Sequence, residues 1–172
     1  MRFKVGVLTI SDRAYAGVYE DRSGPALAGE VQKRGWDVAR TAVIPDLAEV
    51  IEATLINWSD QKGFDVILTT GGTGLGSRDV TPEATRRVLA KELPGIGEIM
   101  RIEGLVITPL SILSRAVAGS RGKTLIVNLP GSPEGAVDSL RAVADIFPHA
   151  LAMLHGEAHA HQREEGVLHD QR

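Results

Sequence analysis

One stretch constrains this chain more than any other: Thr69-Thr70-Gly71-Gly72-Thr73-Gly74-Leu75-Gly76-Ser77-Arg78-Asp79-Val80-Thr81-Pro82-Glu83-Ala84-Thr85-Arg86. It follows Phe64-Asp65-Val66-Ile67-Leu68, a short apolar run that reads as a strand buried in a parallel sheet. A helix start closes it, with Thr81 expected as N-cap, Pro82 in the first helical position and Glu83 against the positive end of the dipole. Strand, glycine loop and helix in that order place the loop at the carboxyl edge of an open α/β sheet, where ligands bind. The four glycines between Gly71 and Gly76 let backbone N–H groups approach an anion closely. The spacing is neither Gly-x-Gly-x-x-Gly nor the P-loop. Taken alone it points to an anionic ligand or to a turn that needs glycine.

Composition narrows the class. With 172 residues, 43% hydrophobic and 24% charged, the chain suits one packed domain. A net charge of −3 and 4% aromatic residues argue against a nucleic-acid surface. The absence of cysteine excludes disulfides, thiolate nucleophiles and thiolate metal sites. No signal peptide and no membrane-length apolar run is read, so a cytoplasmic protein is expected.

The strand–helix pattern repeats along the chain. Phe3–Ile10 reads as a first strand, with Ser11-Asp12-Arg13 at its carboxyl end, and residues 14–22 read as a loop over the site. Ser23-Gly24-Pro25 opens a helix, and Asp37–Ile44 reads as a second strand. Asp46 precedes another helix and has Glu49 three residues on, so it reads as a capping-box residue or as an active carboxylate. The helix from Thr81 is expected to run to about Leu93 and to break at Pro94-Gly95. Thr124–Asn128 reads as a further buried strand. After it, Leu129-Pro130-Gly131-Ser132-Pro133 repeats the logic of the first loop, with Ser132 as cap. A long helix follows, kinked at Pro148. These elements predict a single-domain three-layer α/β/α sandwich with a mostly parallel sheet, over residues 1–155. A flexible polar tail is expected over 156–172, whose histidines lack a third ligand for a metal.

The glycine loop with Arg78-Asp79-Val80-Thr81-Pro82-Glu83-Ala84-Thr85 resembles the signature of the molybdopterin adenylyltransferase family, MogA-type enzymes related to MoaB and to the gephyrin G domain. Thr9-Ile10-Ser11-Asp12-Arg13, Ile44-Pro45-Asp46, Leu113-Ser114-Arg115 and Leu129-Pro130-Gly131-Ser132-Pro133 are similar as well, so the resemblance runs from about Lys4 to about Leu154. It implies adenylylation of molybdopterin by ATP and Mg²⁺, with pyrophosphate released, in molybdenum cofactor biosynthesis. Under it Asp79 and Asp46 hold Mg²⁺ and act in catalysis. Gly71, Gly72, Thr73, Gly74, Pro130, Gly131 and Ser132 receive the AMP portion, while Ser11, Asp12, Ser114 and Arg115 face the pterin, with Ser114 and Arg115 on its terminal phosphate. A homotrimer is implied, with a molybdenum-insertion enzyme as a possible partner. The alternative is a non-catalytic MoaB-like binding or scaffold protein, which has no need to keep both carboxylates.

Overall fold

The computed structural model describes residues 2–157, so the tail expected over 156–172 lies almost wholly outside the described residues. The elements are β1 (Lys4–Ile10), α1 (Asp12–Tyr15), α2 (Ser23–Lys33), β2 (Asp37–Ile44), α3 (Ala48–Ile56), β3 (Val66–Thr70), α4 (Thr81–Val88), β4 (Lys91–Glu92), α5 (Pro94–Gly104), β5 (Ala118–Arg121), β6 (Thr124–Leu129), α6 (Pro133–Val143) and α7 (Phe147–His155). One six-stranded sheet runs in the order β2-β1-β3-β6-β5-β4. The four strands β2, β1, β3 and β6 are parallel; at one edge β5 pairs antiparallel with β6, and β4 antiparallel with β5.

Alternation along the central strands separates two cores. Val5, Val7, Val66, Leu68, Leu125 and Val127 face one side with Leu27 and Val31 of α2 and Leu140 of α6. Leu8, Ile10, Ile67 and Ile126 face the other with Ile51 and Leu55 of α3 and Ala84 and Val88 of α4. Strands with apolar residues on both faces must be covered on both faces, which gives the three-layer sandwich expected from the sequence. The chain leaves β1 for β2 on one side and returns to β3 on the other. The carboxyl ends of β1 and β3 therefore form the switch point where ligand crevices open in such sheets.

Several boundaries differ from expectation. Thr81 is the first residue of α4 rather than its cap: Val80 holds the cap position, and the Thr81 N–H donates to Gly72 O at 3.1 Å. Helix α4 ends at Val88, and Pro94 starts α5 instead of merely breaking α4. The expected long final helix is two helices joined by a tight turn at 144–146, with Pro148 in the first turn of α7, where its missing N–H costs nothing.

Candidate active site

Two glycine turns are brought together by the pairing of β3 with β6. Gly71 and Gly72 have φ of +102° and +65°, values that side chains of L-residues resist. At Gly71 a Cβ would stand 2.2 Å from the Ile10 carbonyl oxygen, so glycine is required for the loop to pass the end of β1. At Gly72 it would stand 2.3 Å from Thr81 Oγ1 and 3.1 Å from Asp46 Oδ1. Gly131 also packs on this loop, since its Cβ would lie 3.4 Å from Gly71 Cα. Thr70 Oγ1 donates to Pro130 O at 2.6 Å and joins the two glycine turns.

The paired loops form a wall between two cavities. A cleft of about 240 Å³ is lined by Ser11, Asp46, Gly71, Gly72, Asp79 and Gly131, among others. A cavity of about 790 Å³ lies on the other side, reached by Thr73, Gly74, Ser114, Pro130 and Ser132 and walled by α5, the segment 106–113 and α6. The first is polar and carries carboxylates; the second has mostly apolar walls.

Asp46 is held from across the fold. Its Oδ2 accepts from the Asp12 N–H at 2.7 Å, and its own N–H donates to Asp12 Oδ1 at 2.9 Å. Burial pushes the Asp46 carboxyl up from its ordinary value, the Asp12 N–H pulls it back, and the Asp12 and Asp79 charges push it up further. Asp79 closes the glycine loop: its Oδ2 accepts from the Gly76 N–H at 2.7 Å. The amides of Gly72, Thr73 and Gly74 donate to no other described residue, leaving them available to an anion.

Residues 6–149 match the family described as "Probable molybdopterin binding domain". The chain belongs to this family. It is 43% identical over 154 residues to the molybdopterin adenylyltransferase of Helicobacter pylori strain J99, covering 88% of each chain. It is 42% identical over 150 residues to the molybdopterin adenylyltransferase of Escherichia coli K12, covering 83% of this chain and 74% of that protein. The molybdopterin biosynthesis enzyme MoaB of Thermus thermophilus has the same fold, with a TM-score of 0.85 at 49% identity over 90% of this chain and 97% of that one.

Set within this molybdopterin-binding family, the expected residues divide. Ser11, Asp46, Gly71, Gly72, Asp79 and Gly131 converge on the small cleft. Thr73, Gly74, Ser114, Pro130 and Ser132 line the large cavity, so the residues expected around AMP, and those expected around the pterin, are each split by the glycine wall. Asp12 and Arg115 line neither cavity. The Asp12 carboxylate is occupied by the Asp46 N–H and by Arg78, whose Nη2 lies 2.8 Å from Oδ2. The Asp46 N–H holds Asp12 below the ordinary carboxylate range, helped by Arg78 and opposed by slight burial.

Arg115, expected on a substrate phosphate, clamps the glycine loop. Its Nε donates to Gly74 O at 2.8 Å, its Nη2 to Asp79 O at 2.7 Å, and its Nη1 pairs with Glu83. Burial raises the Glu83 carboxyl, but the Arg115 bond leads the opposing effects and the net direction is down. Asp46 is not a helix cap either: Leu47 holds that position at α3, with no side-chain cap bond. Ser132 is a cap as expected, accepting from the Gly135 N–H at 3.2 Å.

Sequence reasoning places the 14–22 loop over the site without singling out its residues. Tyr19, Asp21 and Arg22 line the small cleft. The missed signal is Asp21 three residues before Gly24, the spacing of a side-chain cap.

Proposed function

We propose that this chain is a molybdopterin adenylyltransferase acting in molybdenum cofactor biosynthesis. The carrying observation is the convergence of Asp46 and Asp79 on one small cleft beside the bare backbone of Gly71 and Gly72. In the reaction a terminal phosphate oxygen of molybdopterin attacks the α-phosphorus of ATP. The bond from that phosphorus to its bridging oxygen breaks, and pyrophosphate leaves. A phosphate nucleophile is already ionised at neutral pH, since its second pKa is about 6. The protein therefore has to position two anions and neutralise charge, with no need of a general base.

The residues divide that work by place. The large cavity suits a flat ring system, since its exposed wall is mostly apolar, with Ser114, Ser132 and the charged side chains of Arg101, Glu134 and Arg141 among its lining residues. The amides of Gly72, Thr73 and Gly74 lie on the wall between the cavities and offer donors to phosphoryl oxygens. Arg115 keeps that wall in shape from behind, and Asp79, at the cleft, closes its loop through the Gly76 N–H.

The donor set fits Mg²⁺. Among the described residues no group of three or more His, Asp or Glu is arranged to hold a metal unaided. Mg²⁺ is commonly held by one or two carboxylates with substrate phosphates completing its shell, and Asp46 and Asp79 supply two. Burial first, and then the Asp12 and Asp79 charges, raise the Asp46 carboxyl, and a bound cation would offset both. When bound, the ion would neutralise charge building on the phosphate oxygens. Asp46 and Asp79 would hold it, and the Asp12 backbone would fix Asp46 in position.

A homotrimer, and hand-over of the product to a molybdenum-insertion enzyme, complete the proposal. The scaffold alternative loses weight because both carboxylates are kept and face one cleft. Pyrophosphate release from MgATP, dependent on added molybdopterin, tests the reading. A purified, folded protein that releases none overturns it.

A further inference from the structure

The loop between α1 and α2 holds a cation that the chemistry above does not use. Asp21 fastens this loop at two points. Its Oδ2 accepts from Thr9 Oγ1 at 2.8 Å near the end of β1, and its Oδ1 accepts from the Gly24 N–H at 3.0 Å in the first turn of α2. The clasp is close-packed, since a Cβ at Gly24 would stand 2.4 Å from Asp21 Oδ2 and 2.6 Å from Thr9 Oγ1. Fastened in this way, the loop lays Tyr19 and Arg22 along the small cleft.

Arg22 is held but not neutralised. Its Nη2 donates to Tyr19 Oη at 3.3 Å, and the Tyr19 ring carries the Arg13 guanidinium 5.4 Å from its centroid. Arg22 makes no ion pair with a described carboxylate. Among the described residues it is the one cationic side chain lining the cleft, where Asp21, Asp46 and Asp79 supply carboxylates. Asp21 directs its oxygens to Thr9 and Gly24 and makes no ion pair with Arg22.

We propose that Arg22, set by Tyr19 and by the Asp21 clasp, binds the pyrophosphate leaving group of the adenylylation. This rests on the adenylyltransferase reading. At about 240 Å³ the cleft falls below the roughly 300–1,000 Å³ of pockets that hold drug-sized ligands, and suits a small polyanion. The nucleoside and pterin rings belong on the other side of the glycine wall, in the cavity of about 790 Å³. When the bond between the α-phosphorus and its bridging oxygen breaks, the electron pair goes to that oxygen. Negative charge therefore grows on pyrophosphate, and a planar guanidinium that gives only its Nη2 to Tyr19 keeps Nε and Nη1 as donors for it.

The test is calorimetric titration of the full chain with inorganic pyrophosphate in the presence of Mg²⁺, and separately with AMP. Arg22→Gln is expected to weaken pyrophosphate binding by about tenfold to a hundredfold, the range for loss of a charge-assisted bond. Arg22→Lys should retain part of the affinity, since the charge stays and the fork is lost. AMP binding and the melting temperature should be unchanged, because Arg22 is exposed. Undiminished pyrophosphate affinity in Arg22→Gln, an equal loss for AMP, or no pyrophosphate binding by the wild type overturns the inference. Turnover of the wild type separates the two readings. A protein that adenylylates molybdopterin while Arg22→Gln binds pyrophosphate normally loses only the Arg22 assignment. One that does not adenylylate loses the functional reading as well.

Discussion

Asp12 and Asp46 hold each other through reciprocal bonds across 34 residues: each backbone N–H donates to the other's carboxylate, at 2.7 and 2.9 Å. The pair joins the loop after β1 to the loop after β2 and fixes Asp46 at the cleft. Its two carboxyls shift in opposite directions, Asp46 up and Asp12 down. A group with a raised folded-state value binds more protons folded than unfolded. Stability then falls as pH rises through that value. Asp46→Asn keeps an oxygen to accept the Asp12 N–H but removes the charge. Its melting temperature should match the wild type near pH 3, exceed it progressively above about pH 4, and stay higher at neutral pH without metal. Adenylylation should fall by about a hundredfold or more, the scale for a lost electrostatic stabiliser. Added Mg²⁺ should raise the wild-type melting temperature and not the variant's. A variant less stable than wild type at pH 7 in a chelating buffer would show that Asp46 serves the fold.

Asp79 has a local duty that Asp46 lacks, since it accepts from the Gly76 N–H. Asp79→Asn can keep that bond through its amide oxygen, so the loop should persist and the melting temperature change little. The rate should fall by roughly a hundredfold or more, about 2.7 kcal/mol at the transition state. Asp79→Ala should lose the same rate and about 1 kcal/mol of stability besides, from the unpaired loop amide. Single-turnover kinetics with thermal melts separate the two duties. A near-wild-type rate in Asp79→Asn would remove its catalytic assignment.

What is legible in the sequence follows from the range of the forces involved. Strands β1, β3 and β6 are apolar on both faces, so continuous hydrophobic runs identify them and imply helices above and below. Strand β5, Ala-Gly-Ser-Arg, has no such run and exists because it pairs with β6. The glycine loop is legible because a backbone that needs positive φ advertises itself through glycine. Asp46 beside Glu49 looks like a cap because local spacing cannot show that Asp12 competes for it from 34 residues away. The clamp made by Arg115 is hidden for the same reason: its three partners lie 32 to 41 residues distant in sequence, at Glu83, Asp79 and Gly74.

Asn128 shows how a buried polar group ties the layers behind the site. Its Nδ2 donates to Thr69 Oγ1 at 3.0 Å and to Thr85 Oγ1 at 2.9 Å, while its Oδ1 accepts from the Val117 N–H at 3.3 Å. The side chain therefore links β6 to β3, α4 and the entry to β5. Asn128→Leu leaves these partners buried without it, at about 1–3 kcal/mol for each group that finds no substitute. A loss of about 3 kcal/mol is expected in urea unfolding, with an unchanged m-value. A loss under 1 kcal/mol would mean that the threonines and the Val117 amide find other partners.

The proposed trimer needs an apolar face, and the segment after α5 supplies one. Val106 is 87% exposed, Ile107 66%, Leu110 67% and Ile112 58%, with Ile102 nearby at 57%. So many large apolar side chains in one exposed segment mark a contact surface. Static light scattering at micromolar concentration should give three times the chain mass. Val106→Asp with Ile112→Asp should give the monomer mass. A monomeric wild type would sink the trimer, and a trimeric double variant would move the contact elsewhere.

Gly72 and Gly63 allow backbone strain to be separated from the site itself. Their φ values are nearly equal, +65° and +60°, so alanine costs about 1–2 kcal/mol at either for its left-handed conformation. They differ in surroundings. A Cβ at Gly63 meets nothing within 4 Å, whereas at Gly72 it meets Thr81 Oγ1 at 2.3 Å and Asp46 Oδ1 at 3.1 Å. Thr81 is fully buried at the start of α4 and cannot withdraw without moving the helix. Gly63→Ala should lower the melting temperature by roughly 2–8 °C, the range that 1–2 kcal/mol gives in a domain of this size, and leave turnover intact. Gly72→Ala should carry that penalty and the steric one together. It should also displace Asp46 by enough to cost about a hundredfold in rate, as misplacements of about 1 Å do. Equal melting shifts with equal, near-wild-type rates in the two variants would show that the loop yields to a side chain, and that the close approach of Gly72 to Asp46 is not what the chemistry needs.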